Sequence, residues 1–357
     1  MEPVTLVDLT RQELQTLLAD WGQPRYRADQ VWSWLYRRLA GSAEGMTDLP
    51  RELRARLAAE TRLDPLTPLT SLDSSDRRTR KALFALPDGA QIEAVLMGYD
   101  RRRTLCISTQ AGCAMGCPFC ATGQGGFARN LTAGEIVAQV LHYARMLAAE
   151  GQHVTNIVFM GMGEPFANYA ATWSAIRRLN DPDGFGLGAR AMTLSTVGLV
   201  PGILRMIHEP EQVGLAVSLH AATDTLRNQL VPINRRFPLS RLIQACLDYT
   251  EATRRRISFE YALMDGINDS DEQAGQLAEL VGGMLAHVNL IPLNPTSDSP
   301  YRGSPPARVR AFQAALQRRG IPATLRLRRG IDIQAGCGQL RAAARGQGPE
   351  IASSPGR

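Results

Sequence analysis

The chain predicts an α/β fold, a partial (open) parallel β/α barrel preceded by a small N-terminal helical domain and a β-hairpin lead-in. Three observations predict it. From Thr104 to Leu340, short apolar and β-branched runs alternate with amphipathic helical stretches; residues 1–64 carry helical periodicity; and two apolar runs flank the turn Pro87-Asp88-Gly89. Alternating strands and helices call for a parallel sheet, and six or seven such units rather than eight leave the barrel open.

The chain in order divides as 1–64, helical; 65–103, linker and hairpin; 104–340, barrel; and 341–357, a tail rich in Ala, Gly, Ser and Pro that is predicted to be disordered. Thr10 with Glu13 forms a capping box before the first helix; Asp29 to Tyr36 and Pro50 to Leu57 are the next amphipathic stretches. Pro65, Pro68 and the polar run 71–77 mark the linker. Runs 81–86 and 91–97 are predicted to pair as a hairpin. Barrel strands are predicted at 104–109, 154–160, 191–197, 213–219, 257–263, 288–293 and 323–327. Thr132 with Glu135 caps the helix running to about Ala149, and later helices start near Tyr169, Pro201, Ser240, Ser270 and Ser304.

Composition bounds the function. The 357 residues are 44% hydrophobic and 21% charged, as in an ordinary globular protein, so disorder and fibre are excluded. A formal charge of +6 permits a polyanionic partner without demanding one. No apolar run is long enough for a membrane span and no signal peptide follows Met1, so a cytoplasmic protein without membrane contact is expected. Six cysteines are too sparse for a disulfide scaffold and suit a reducing compartment.

Three of those cysteines, Cys113, Cys117 and Cys120, lie within eight residues of a Gly- and Pro-broken loop after the first barrel strand. Thiolates so close can converge on a soft metal centre. A structural zinc takes four protein ligands, so three point instead to a cubane with one iron open to a small molecule. A zinc knuckle borrowing a distant fourth ligand is the alternative.

Working residues in such barrels sit on loops after the strands. The second strand ends in Gly161-Met162-Gly163-Glu164-Pro165, where glycine admits a ligand against the backbone and Glu164 could accept from an ammonium group, although any tight turn uses the same residues. Ser195, the run Ser218-Leu219-His220 and Asn294 end later strands and suit a nucleoside cofactor; each alone reads equally as a satisfied polar group. Cys337, flanked by glycines after the last strand, could be a nucleophile or methyl carrier, and Cys106 lies on the first strand. Two such thiols could form a catalytic disulfide, but sequence spacing leaves open whether they meet. Cys246 reads as structural. Glu93, amid apolar neighbours in the hairpin, reads as an outward-facing carboxylate. The N-terminal arginines with Tyr26 could track RNA, yet a helical bundle with an aromatic core and a solvated basic face fits those residues better.

The Cys-x3-Cys-x2-Cys spacing resembles the signature of radical S-adenosylmethionine (SAM) enzymes. Together with Gly161 to Pro165, Val217 to His220, Pro232 to Arg236 and Ala335 to Leu340, the chain is similar over nearly its whole length to the adenine-C2 methyltransferases of 23S rRNA and tRNA. The resemblance implies a barrel of the radical SAM type and a [4Fe-4S] cluster on Cys113, Cys117 and Cys120. It implies SAM held by Gly163, Glu164, Ser195, Ser218, Leu219, His220 and Asn294. Cys337 would be methylated by one SAM, and a radical from a second would activate that methyl for attack on adenine C2. Glu93 would take the C2 proton, and Cys106 would release the covalent RNA adduct by forming a disulfide with Cys337. Adenine C2 is an electron-poor carbon that cannot attack a sulfonium methyl, which is why a radical route is needed. The implied partners are 23S rRNA, tRNA as a further substrate, and an electron donor such as flavodoxin or ferredoxin; a monomer is expected. Arg101 to Arg103, Arg235, Arg236 and Arg254 to Arg256 would join the N-terminal helices in an RNA-binding face. Leu293 and Gly336 depart mildly from the family pattern. A C8 adenine methyltransferase of the sister family and a zinc-bound non-catalytic RNA-binding protein are the alternatives.

Overall fold

The computed structural model describes residues 3–341 except 295, 297 and 298, so the tail expected to be disordered lies, apart from Arg341, outside the described residues. Ten strands form one sheet: β1 (Thr67–Asp73), β2 (Thr79–Ala85), β3 (Gln91–Gly98), β4 (Arg103–Cys106), β5 (Asn156–Phe159), β6 (Met192–Thr196), β7 (Gly214–Ser218), β8 (Ile257–Leu263), β9 (Ala286–Pro292) and β10 (Ala323–Leu325). They lie in sequence order across the sheet. From β4 to β10 every neighbouring pair is parallel, while β1 to β4 pair antiparallel. β10 and β1 remain as separate edges, so the sheet is open as the sequence predicts.

The parallel strands are apolar because helices cover them and both faces are shielded. In β8, Phe259, Tyr261 and Leu263 are fully buried, as are Leu290 of β9 and Ile157 of β5. Helices start at side chains that satisfy their free N–H groups. Thr132 and Glu135 form a capping box on Ala133–Ala149, and Ser270 with Gln273 does the same for Asp271–Val281.

One expectation fails in the lead-in. The stretch expected as linker forms β1, making the hairpin a three-stranded antiparallel unit. All seven residues of β1 are exposed, so no inside-outside alternation announces the strand. Pro68 is tolerated because β1 is an edge, and the register shifts between Pro68 and Thr70. The sequence also gives no sign of two short pairings, Val4–Thr5 with Thr61–Arg62 and Gln110–Gly112 with Phe127–Asn130.

The N-terminal helices Arg11–Asp20, Tyr26–Tyr36 and Arg51–Glu60 share one apolar core with the barrel. Buried Arg178 of the barrel donates to the carbonyls of Val7 and Asp8, while Asp8 Oδ1 accepts from Gly134 N–H at 2.9 Å. Trp32 and Tyr36 are buried, as the bundle reading requires, whereas Tyr26 is 54% exposed.

Candidate active site

The C-terminal ends of the parallel strands surround a cavity of about 960 Å³, counted with its open mouth. Cys113, Cys117 and Cys120 line it, together with Gly163, Glu164, Ser195, Ser218, His220, Asn294 and Cys337. The topology thus gathers residues spread over more than two hundred positions into one wall set. Leu219 is the exception. Its side chain is fully buried, its N–H donates to Glu260 O at 3.0 Å, and its carbonyl accepts from Arg227, so it does not line the cavity.

The cysteine loop is shaped by Gly112, at φ +76°, where a Cβ would run into the Gly126 carbonyl. Cys120 N–H closes a turn on Cys117 O at 3.1 Å, and Ala121 N–H donates to Gly338 O at 2.8 Å, fastening the loop to the Cys337 segment. Burial pushes the Cys113 thiol up to about 12, raises Cys117 well above its ordinary value, and raises Cys120. Metal coordination reverses such shifts, because a thiolate bound to a cation is stabilised outright. Among the described residues no group of His, Cys, Asp or Glu closes around a single ion, and a cluster, in which each thiolate binds its own iron, suits three thiols facing a shared cavity.

Glu164 is held in place by backbone donors on both oxygens. Its Oε1 accepts from Phe166 N–H at 3.0 Å and its Oε2 from Val197 N–H at 2.8 Å. Burial raises its carboxyl to about 7 against those bonds. Gly163, at φ +100°, has no room for a Cβ beside Gln110. Ser195 and Ser218 place their hydroxyls 3.4 Å apart at the ends of β6 and β7. His220, at φ +61°, accepts from Ala262 N–H through Nδ1 at 3.0 Å, and burial depresses it to about 3, leaving a neutral ring. Its other nitrogen then carries the proton as a donor. Asn294 donates to Cys337 O at 3.2 Å, and its buried Oδ1 has no hydrogen-bond partner among the described residues.

A second, smaller cavity adjoins the first and is lined by both Cys106 and Cys337, with Met160, Ile291, Asn294 and Arg326 common to the two. The fold therefore answers what spacing left open, that the two thiols face one space. Both are free cysteines, with no disulfide between them. Burial lifts the Cys106 thiol to about 12, Cys337 adds to the rise, and Arg326 opposes it. Sequence reasoning missed Arg326 and Glu260, which lie 3.9 Å apart, and also Arg227, fully buried beneath the loop. An arginine or glutamate looks like a surface residue until the fold encloses it.

Glu93 corrects another expectation. Instead of facing outward it is buried, paired with Lys81 at 2.9 Å, and its Oε2 accepts from Arg341 N–H at 2.8 Å. It lines neither cavity, although Arg341 follows Leu340, a wall residue of the smaller one. Cys246 is fully buried in the core, as expected.

Comparison with known proteins agrees with this arrangement. Residues 4–63 match the family described as the ribosomal RNA large subunit methyltransferase N-terminal domain, and residues 107–278 match the radical SAM superfamily. A probable dual-specificity RNA methyltransferase RlmN of Roseiflexus castenholzii is 50% identical, covering 94% of this chain and 95% of its own. The corresponding protein of Moorella thermoacetica is 52% identical over 96% of this chain and 98% of its own. A crystal structure of a radical SAM methyltransferase from Sphaerobacter thermophilus superposes with a TM-score of 0.93 at 54% identity, covering 95% of this chain and 99% of that one.

Proposed function

Since the chain belongs to the RlmN family of radical SAM dual-specificity RNA methyltransferases, we propose that it methylates C2 of an adenosine in 23S rRNA, and of one in tRNA, through Cys337 as methyl carrier, consuming two SAM. That membership overturns the reading of a non-catalytic, zinc-bound RNA-binding protein. The observation that carries the proposal is the adjoining pair of cavities, one walled by three clustered thiols and the other shared by two more.

Radical SAM enzymes use a [4Fe-4S] cluster and SAM, which when bound supply a methyl group and the one-electron chemistry that an unactivated carbon requires. Cys113, Cys117 and Cys120 would hold the cluster. Glu164 would pair with the amino group of SAM, the Ser195 and Ser218 hydroxyls and the His220 N–H would bind its ribose and carboxylate, and Asn294 Oδ1 would accept from the nucleoside. Cys337 stands on the wall common to both cavities, so one sulfur can accept a methyl group on one side and present it to a base on the other. Carbon–carbon bonding between that methyl and C2 requires loss of a hydrogen atom from the methyl and of one electron and the C2 proton from the adduct. The one-electron chemistry of the bound cofactor would account for the hydrogen atom and the electron, and Glu93, paired with Lys81 and bonded to Arg341 next to wall residue Leu340, is assigned the proton. Attack of the Cys106 thiolate on the Cys337 sulfur then breaks its bond to the former methyl carbon, and the electron pair goes to that carbon as it takes up a proton. A Cys106–Cys337 disulfide remains, for an external thiol reductant to reopen.

The target adenine must leave its stack to reach the cavity. The N-terminal helices supply a basic face, with Arg27 over exposed Tyr26 at 4.8 Å, where RNA would dock. Six unpaired thiols and an iron cluster suit a reducing cytoplasm and a low-potential donor such as flavodoxin or ferredoxin; the enzyme would act as a monomer. Among the described residues no helix is long and apolar enough to cross a membrane. The test is anaerobic turnover of reconstituted enzyme on a 23S rRNA fragment, followed by nucleoside mass spectrometry. 2-Methyladenosine is expected; 8-methyladenosine would assign the chain the sister chemistry instead.

A further inference from the structure

Arg227 is the largest fully buried side chain among the described residues, at 0% exposure. Its guanidinium donates to the carbonyls of Leu219 at 3.0 Å, Val197 at 2.7 Å and Ser218 at 3.2 Å, and to Asn234 Oδ1 at 2.7 Å. All four acceptors are neutral. The nearest charged link is indirect: Asn234 donates in turn to Asp224, which is exposed. A buried cation whose direct partners are all dipoles, with exposed Asp224 acting on it only from beyond Asn234, is costly, and buried charges are ordinarily paired with an anion or a metal site.

The missing anion has a place. Arg227 lies on the short helix Asp224–Leu230, capped by Thr223. Leu226 and Leu230 of that helix, with Val231, pack in one apolar cluster with Cys117 and Phe119 of the cysteine loop. Residues on both sides of Arg227 therefore share an apolar cluster with the element that presents the middle thiol. Burial draws the Arg227 guanidinium down to about 10, and Cys117 heads the influences opposing that fall.

We propose that Arg227 is the buried counter-charge of the cluster held by Cys113, Cys117 and Cys120, pairing with the negative charge that three thiolates bring beneath the loop and favouring the reduced cluster. This rests on the assignment of the cluster to those cysteines. Reduction by a low-potential donor adds one electron, hence one negative charge, to a site of low dielectric. A nearby fixed cation stabilises that state more than the oxidised one and raises the midpoint potential. The same guanidinium ties together the ends of β6 and β7, which carry Ser195 and Ser218, so charge and scaffold must be separated experimentally.

Potentiometric titration of the reconstituted full-length protein, followed by electron paramagnetic resonance of the reduced cluster, separates them. Arg227→Gln should make reduction at least tenfold less favourable, about 59 mV for a one-electron couple, while Arg227→Lys stays near the wild-type value. A paired exchange, Asn234→Asp with Asp224→Asn, keeps the net charge but moves a carboxylate into contact with the guanidinium, and should lower the potential in the same direction without deleting Arg227. If Gln and Lys shift the potential equally, or if the carboxylate exchange leaves a loaded cluster at the wild-type potential, the counter-charge role is overturned. Should Arg227→Gln fail to fold, the exchange alone decides. A wild-type protein that takes up no cluster would remove the cluster assignment and this inference together; an intact cluster indifferent to these changes would remove only the inference.

Discussion

Two titratable groups in the site set its pH behaviour. Glu164 is 2% exposed, and its carboxyl sits at about 7 against an ordinary 4.5. Its folded value is raised, so the ligand-free protein binds the proton more tightly than the unfolded chain and loses stability as pH climbs from about 4.5 to about 7. The loss is on the order of 3 kcal/mol. A cationic ligand beside the carboxylate removes that penalty, so the gain in melting temperature on adding SAM should be larger at pH 8 than at pH 5. Glu164→Gln should flatten the difference and weaken SAM binding at least tenfold in calorimetry with the cluster intact; undiminished binding would exclude Glu164 from the site. The Cys106 thiol, lifted to about 12 by burial, is mostly protonated at neutral pH. If its thiolate resolves the RNA adduct, adduct decay should quicken about tenfold per pH unit below that value, and Cys106→Ala should trap the adduct on a denaturing gel. A pH-independent decay would assign the step to another group. These roles are only half legible in sequence. Cys113, Cys117 and Cys120 announce themselves by spacing, but Arg227, Arg326 and Glu260 are ordinary charges until burial makes them otherwise.

At the scale of elements, legibility follows burial. β8 runs over Ile257–Leu263 as predicted because all but one of its residues are buried and Ile257, Phe259, Tyr261 and Leu263 keep an apolar alternation through Ser258 and Glu260. β1 was hidden for the opposite reason, since an exposed edge strand has no core face to pattern it. Local capping chemistry reads well: Thr132 Oγ1 accepts from Glu135 N–H at 3.1 Å, and Glu135 Oε2 accepts from Thr132 N–H at 2.9 Å. Glu135 also pairs with Arg129 at 2.7 Å, so this cap anchors the strand that returns from the cysteine loop. Thr132→Ala should cost about 1 kcal/mol in chemical denaturation; an unchanged midpoint would show that the Arg129 pairing alone fixes this helix start. The short helix Asp224–Leu230, which carries Arg227, escaped prediction because only Leu226 and Leu230 among its seven residues are apolar.

Across the whole molecule, the helical domain and the barrel share one core and are joined at Arg178, whose guanidinium satisfies the Val7 and Asp8 carbonyls. Arg178→Ala leaves those buried acceptors unpaired and should destabilise the protein by about 2 kcal/mol, with both domains melting in one transition; two separate transitions would show that the domains fold independently. The parallel sheet was readable because strands and helices alternate in sequence, whereas its strand order emerges only in the fold. The meeting of Cys106 with Cys337 was not readable either, because it depends on how far the open sheet curls. The place of Cys337 on the wall shared by both cavities is the centre of the account, and the direct measurement is to incubate the reconstituted enzyme anaerobically with methyl-labelled SAM, digest it, and map the label by peptide mass spectrometry. The account expects the methyl on Cys337 and on no other cysteine; label on Cys106, or RNA methylated by a protein whose Cys337 has been replaced by alanine, would contradict it.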